Sequence, residues 1–229
     1  MVILGNLLIK GGSIRTDPYF SNVIFLSHFD TLTDIKGHAI TNNGGVSLNT
    51  SDKYFGTASA QFSGASNSYL SIDDPASDFS LPDDFAIECF INFSSLGVTN
   101  HFHPILEIGN PISGGFRIGW YNDGSSSFFQ TVINNTAYNS SFPFAPTTDT
   151  WYYFAFTRSS GVNSCSINGS ELSGSFTNGY SISSGSSRLI GGSSLSSLQR
   201  FIGKIDEYRI TKAVTRDVSV IPAMQFPNR

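Results

Sequence analysis

The sequence predicts an all-β protein, a sandwich of two antiparallel sheets carrying an N-terminal extension. Three observations lead there. Short apolar runs with period-two alternation recur along the chain, turn signals separate them at even spacing, and no stretch shows a convincing helical period. No repeat of roughly 20–50 residues is visible, which argues against a propeller or a solenoid.

Composition narrows the class further. A chain of 229 residues holds one large β domain or two small ones. With 39% hydrophobic residues and 20 Phe it can form a sizeable core. Only 13% of residues are charged, against about 25% in ordinary soluble domains. Ser, Thr, Asn and Gly must therefore cover the surface, which suits hydrogen bonding more than electrostatic steering. A net charge of -4 with no basic stripe argues against a nucleic-acid partner. No run approaches the ~20 apolar residues of a membrane span, so no membrane partner is expected. Val2–Ile9 is interrupted by Asn6 and lacks a preceding basic residue, which makes it a poor signal peptide.

Met1–Asn22 stands apart from the rest. Val2, Ile3 and Leu4, then Leu7, Leu8 and Ile9, form two apolar runs split by Gly5-Asn6. They read either as an extra strand pair or as an arm that docks on another chain, since an apolar terminus must bury itself somewhere. Val23–Asp30 is the first strand of the sandwich. Strand runs follow at Ala58–Phe62, Tyr69–Ile72, Phe85–Phe93, Pro104–Ile108, Phe116–Tyr121, Ser127–Ile133, Trp151–Arg158, Ser164–Ile167 and Arg188–Gly191. Turns such as Asn122-Asp123-Gly124 and Asn168-Gly169 separate them. Phe85–Phe93 and the Trp151 run are apolar on both faces, so they belong in the middle of a sheet, with Trp151 in the core. Cys89 and Cys165 lie in strand runs and read as buried free thiols; a disulfide requires their strands to be neighbours.

The last strand, Phe201–Lys212, closes the sandwich against Val23–Asp30. Simple alternation places Ile205, Glu207 and Arg209 on one face and Lys204, Asp206, Tyr208 and Ile210 on the other. Gly203 marks a bulge or a close backbone approach. Asp206 and Glu207 are poor strand formers side by side, so a compensating partner is expected for one of them.

These motifs also occur together in a known family. Ile24–Asp30, Tyr54–Phe62 and Tyr69–Ile72 form its opening, and Asp84–Phe90 its central strand. Thr150–Arg158 with Ile167-Asn168-Gly169 forms its hairpin, and Leu189–Gly192 with Gly203–Thr211 its closing pair. In order and spacing the chain resembles the laminin G-like, concanavalin A-like jelly-roll superfamily. The resemblance covers 23–215 and implies a jelly-roll domain there with about six or seven strands per sheet; residues 1–22 are left as the arm or extra strand pair and 216–229 as a tail. His28-Phe29-Asp30 and Ile205–Lys212 are similar to domains of bacteriophage virion proteins. That flavour implies a non-enzymatic virion structural protein, a surface decoration or adhesion module in contact with glycans. It would attach to other virion proteins through Val2, Ile3, Leu4, Leu7, Leu8 and Ile9, and assemble as a homo-oligomer on the virion surface. A free extracellular carbohydrate-binding lectin is the alternative, and a glycanase of the same fold the third reading.

Four candidate chemistries follow. No cofactor is required, but members of such a family often hold one structural Ca²⁺, which Asp30 and Asp206 would bind with carbonyl oxygens. The competing reading makes Asp206 a hydrogen-bond acceptor and Asp30 a turn cap. Glycan hydrolysis needs two carboxylates at a fixed separation, yet Asp206 and Glu207 are adjacent and alternate faces, while Glu88, Glu107 and Glu171 are isolated. The chain is thus expected not to be an enzyme. His101 and His103 read as part of a solvated loop ahead of a strand starting at Pro104. For sugar binding the best candidates are Tyr121, Asn122 and Asp123 at a hairpin tip, with Tyr138 and Asn139 in a nearby loop. Trp120 continues the inward face of Phe116 and Ile118 and reads as core.

Overall fold

The structure, a computed structural model, describes residues 16–229, without the side chains of 137–141. Among the described residues it is all β apart from one 3-10 turn at Phe20–Asn22. In chain order the strands are β1 Val23–Ser27, β2 Ile40–Asn42, β3 Val46–Asn49, β4 Ser59–Ser63, β5 Leu70–Ile72, β6 Phe85–Phe93, β7 His101–Asn110 and β8 Ser113–Asn122. There follow β9 Ser127–Ile133, β10 Thr136–Pro143, β11 Trp151–Ser159, β12 Val162–Ile167, β13 Ser170–Glu171, β14 Phe176–Thr177, β15 Arg188–Ile190 and β16 Ile202–Lys212.

The doubly apolar strands do sit at the centre. β6 is buried along its whole length between β11 and β16. Its odd residues, Phe85 through Phe93, enter the main core, while Phe90 on the opposite face joins a second cluster with Leu26, Tyr153 and Phe226. Two antiparallel sheets result, a jelly-roll sandwich as the sequence predicts. The first runs β13-β12-β11-β6-β16-β4-β3 and the second β10-β9-β8-β7-β15-β5-β2. The first has nine strands rather than six or seven because short strands share an edge: β1 and β4 pair with different halves of β16, and β13 and β14 with different halves of β12. Cys89 and Cys165 are both free and buried.

β16 departs from simple alternation. Its register against β6 shifts between Asp206 and Arg209, and Glu207 adopts φ 49°. This bulge inserts one extra residue. Ile205, Tyr208 and Ile210 consequently share the main core. Arg209 lies opposite Glu88 and Asp206 opposite Phe90 on the other face. The bulge is therefore at Glu207. Gly203 is the close approach: a Cβ there would lie 2.0 Å from the Asn92 carbonyl oxygen.

β7 also begins earlier than expected, at His101. Pro104 sits inside the strand where the register to β8 shifts, the kind of position a proline tolerates. His103 is fully buried, its ring against Phe93, Trp120 and Phe201. Burial, aided by His101, drives its pKa down to about 3, so it is a neutral core residue.

Candidate functional site

The β8–β9 hairpin projects the sequence-predicted sugar residues at one end of the seven-stranded sheet. Alternation sends Trp120 inward, where it is buried and its Nε1–H donates to the Phe144 carbonyl at 2.9 Å. Tyr121 consequently points to the outer face, half-buried, with its ring edge-on to Phe128 and its hydroxyl donating to Asn100 Oδ1 at 2.9 Å. The tip is held by its own side chains. Asn122 Oδ1 accepts the Gly124 N–H at 2.8 Å, and Asp123 Oδ1 accepts those of Ser125 and Ser126 at 2.8 and 2.6 Å. The Ser126 and Ser125 N–H groups keep the exposed Asp123 carboxyl below the usual range, so it stays charged.

Beside this tip lies a depression of about 180 Å³. Leu96 and Ala145 give it apolar surface, with Trp120 buried behind them, and Asn122, Ser125, Ser126 and Ser127 give it amide and hydroxyl groups. It is smaller than the roughly 300 Å³ at which whole small-molecule sites begin, a size for one ring of a longer ligand. Asn122 lines it, whereas Tyr121 stands on the neighbouring face. Leu96 and the three serines were not singled out from sequence; a serine-rich turn directly after Trp120 was the available signal. The side chains of Tyr138 and Asn139 lie outside the described ones, as do Val2, Ile3, Leu4, Leu7, Leu8 and Ile9.

Asp30 and Asp206 grip the same loop from two sides. Asp206, fully buried, accepts the N–H groups of Tyr54 and Phe55 at 2.8 and 3.0 Å with Oδ2 and that of Glu207 at 2.9 Å with Oδ1. Asp30 Oδ1 accepts the Thr57 N–H, the Thr57 hydroxyl at 2.8 Å and the Ala58 N–H at 3.1 Å, while Oδ2 takes the Gln225 amide at 3.0 Å. Every partner is a hydrogen-bond donor. Such a set fits a hydrogen-bonded carboxylate and does not fit a cage of oxygens around Ca²⁺. Burial, against the Phe55 and Tyr54 N–H groups, lifts the Asp206 carboxyl to about 7.

The bulge turns Glu207 away from the core and toward the C-terminal segment. Its carboxylate faces His28 Nδ1 at 2.8 Å and accepts the Phe226 N–H at 2.9 Å. His28 Nε2 lies 2.7 Å from Asn228 Oδ1. Burial opposes charging of His28, but Glu207 outweighs it and raises the imidazole pKa. This is the compensation that two adjacent acids in a strand require.

The other three glutamates are engaged as well. Glu88 receives both Arg209 Nε and Nη2 and the Tyr153 hydroxyl. Glu107, fully buried, accepts the Ser193 hydroxyl at 2.8 Å and the Ser194 N–H at 2.9 Å. Glu171 accepts the Ser164 hydroxyl.

A family model described as the concanavalin A-like lectin/glucanases superfamily matches residues 63–217. A comparison with curated proteins finds no match. Among solved structures, domain 4 of AbnA, a GH43 extracellular arabinanase from Geobacillus stearothermophilus, in complex with arabinotriose, is similar at TM-score 0.63 and 19% identity, covering 86% of this chain and 97% of that one. The binding domain of Paraclostridial Mosquitocidal Protein 1 is similar at 0.62 and 14%, covering 88% and 52%. That of botulinum neurotoxin serotype G is similar at 0.62 and 18%, covering 86% and 50%. The chain thus spans about half of those two toxin fragments and nearly all of the arabinanase domain. At these identities the likeness is one of fold.

Proposed function

Because the chain belongs to the concanavalin A-like lectin/glucanases superfamily, we propose that it is a non-enzymatic glycan-binding module whose sugar sits at the β8–β9 end of the sandwich. The observation that carries this reading is the depression beside the hairpin tip, where apolar Leu96 and Ala145 meet Asn122 and serine hydroxyls. A sugar ring needs that pairing of an apolar floor with short-range hydrogen-bond groups, and the half-exposed Tyr121 offers a second aromatic surface one face away. The arabinotriose complex of a structure with the same fold points in the same direction. The four glutamates and Asp206 are occupied by donors within the protein, an arrangement for structure rather than for acid–base chemistry.

The finer reading makes the module a decoration or adhesion protein on a virion surface, meeting host-surface glycans and joined as a homo-oligomer to other virion proteins by Val2–Leu4 and Leu7–Ile9. It rests on the sequence likeness of His28-Phe29-Asp30 and Ile205–Lys212 to such domains. The free lectin reading shares the same sugar site and needs no particle. No helix among the described residues is long and apolar enough to cross a membrane, in keeping with either. Binding of the wild-type protein to a panel of immobilised glycans, repeated with Asn122→Ala, tests the common claim. A glycan held by the wild type and lost by the variant is the expected result; binding to none of the panel contradicts it.

A further inference from the structure

The C-terminal segment crosses the outer face of the nine-stranded sheet as a strap fixed at both ends. At one end Arg216 grips Asp17 with both Nη atoms, at 3.1 and 2.7 Å, and the strap then abuts the β12–β13 turn so closely that a Cβ on Gly169 would lie 2.2 Å from the Ser219 carbonyl oxygen. At the other end Gln225, Phe226 and Asn228 bond to Asp30, Glu207 and His28. Between these fixings, no hydrogen bond from the described residues reaches Val220, Ile221, Pro222, Ala223 or Met224. Val220 is 70% and Met224 51% exposed.

Beneath the strap is a cavity of about 310 Å³, floored by Glu88, Tyr153, Arg209 and Arg216. A second of about 220 Å³ continues over Thr157, Ser164 and Ser166. Arg216 and Asp217 line both, so the two adjoin there as a trough in two compartments. We infer that this trough is a second ligand site, and that it takes a neutral oligosaccharide. The ligand class rests on the glycan-binding reading above, while the geometry is independent of the hairpin end.

The lining argues for that chemistry. One wall is the apolar side of the strap, which suits the C–H face of a sugar ring. The floor offers hydroxyls and charged groups held rigid: Arg209 is bidentate on Glu88 and also reaches Asp17 at 3.1 Å. Four carboxylates, those of Asp17, Glu88, Glu171 and Asp217, face two guanidiniums, Arg209 and Arg216. The excess of negative charge repels an anionic sugar. The main cavity also reaches the lower size limit of small-molecule sites, roughly 300 Å³.

The test is a methyl and amide NMR titration of the full chain with maltotriose and, separately, 3′-sialyllactose. Maltotriose is expected to shift the Val220, Ile221 and Met224 methyls in a saturable way, with 3′-sialyllactose at least about tenfold weaker there. Ala223→Trp places an indole on the exposed strap wall and is expected to weaken those shifts at least about tenfold while leaving the Asn122–Ser127 amides responsive. The inference is overturned if neither sugar shifts the strap methyls, if Ala223→Trp leaves their titration unchanged, or if the sialylated sugar binds as well as the neutral one. A response only at Asn122–Ser127 overturns the second site and keeps the hairpin reading; a response only at the strap does the reverse.

Discussion

Asp206 holds three backbone N–H groups on one fully buried carboxyl, and its substitution should therefore act on stability before it acts on any ligand. Asp206→Ala strands those donors and is expected to cost about 2–4 kcal/mol in denaturant unfolding. A chelator is expected to leave the wild-type melting temperature unchanged, because backbone and side-chain donors already fill the Asp30 and Asp206 carboxyl oxygens. The pH dependence has a definite sign. A carboxyl at about 7 when folded, against about 4 when unfolded, keeps its proton in the folded state across that window. Its contribution is complete below about pH 4 and is lost as pH rises toward 7. Asp206→Asn should flatten that segment of the stability profile; a profile as steep as wild type would assign the slope elsewhere. The residue scale also shows where sequence reading stops. Nothing in Ile205-Asp206-Glu207-Tyr208 announces that Glu207 takes a left-handed conformation, so simple alternation puts the two acids on opposite faces. The long-range partners, Tyr54, Phe55 and His28, decide otherwise.

At the scale of elements, β6 and β9 were legible to their end residues and β11 to within one, because two apolar faces or a clean alternation bounded by turns leave little choice of structure. β7 was misread at its start since Pro104 looked like a boundary; the bulge that accommodates it depends on β8 and leaves no local trace. β2, β3, β10, β13 and β14 were missed, most of them short, and β2, β3, β13 and β14 largely half-buried or exposed, so they carry weak alternation. The strap was invisible as an element, for its side-chain hydrogen bonds to His28 and Asp30 span 200 and 195 positions. Phe226 anchors it, 4% exposed with the Arg209 guanidinium 3.8 Å from its ring centroid. Phe226→Ala is expected to destabilise by about 2–4 kcal/mol and to increase amide exchange over 217–228. His28 adds a pH dependence here. Its raised pKa stabilises the strap fully below about 6.5 and less as pH climbs through the folded value. Exchange in the strap should thus quicken with pH beyond its intrinsic rise, and His28→Gln should remove that excess.

For the whole molecule, order and spacing of motifs were enough to specify the sandwich, while the pockets were not, because each is assembled from loops or termini far apart in sequence. The depression joins Leu96 to Asn122 and Ser125–Ser127, and the trough joins Asp17 to Glu88 and the strap. Assembly belongs to this scale too. On the particle-bound reading, a protein starting at Thr16, which keeps the Asp17 ion pairs with Arg209 and Arg216, should fold yet fail to co-sediment with its particle; wild-type occupancy would exclude an attachment role for Val2–Ile9. Hydrolysis is expected to be absent, so incubation with laminarin, agarose or arabinan should release no reducing ends. The glycan-binding claim itself is tested most directly by an amide NMR titration of the wild-type chain with arabinotriose. The account predicts saturable shifts at Leu96, Asn122 and Ser125–Ser127 that disappear in Asn122→Ala; no shift at the hairpin end with this or any other glycan tried would contradict it.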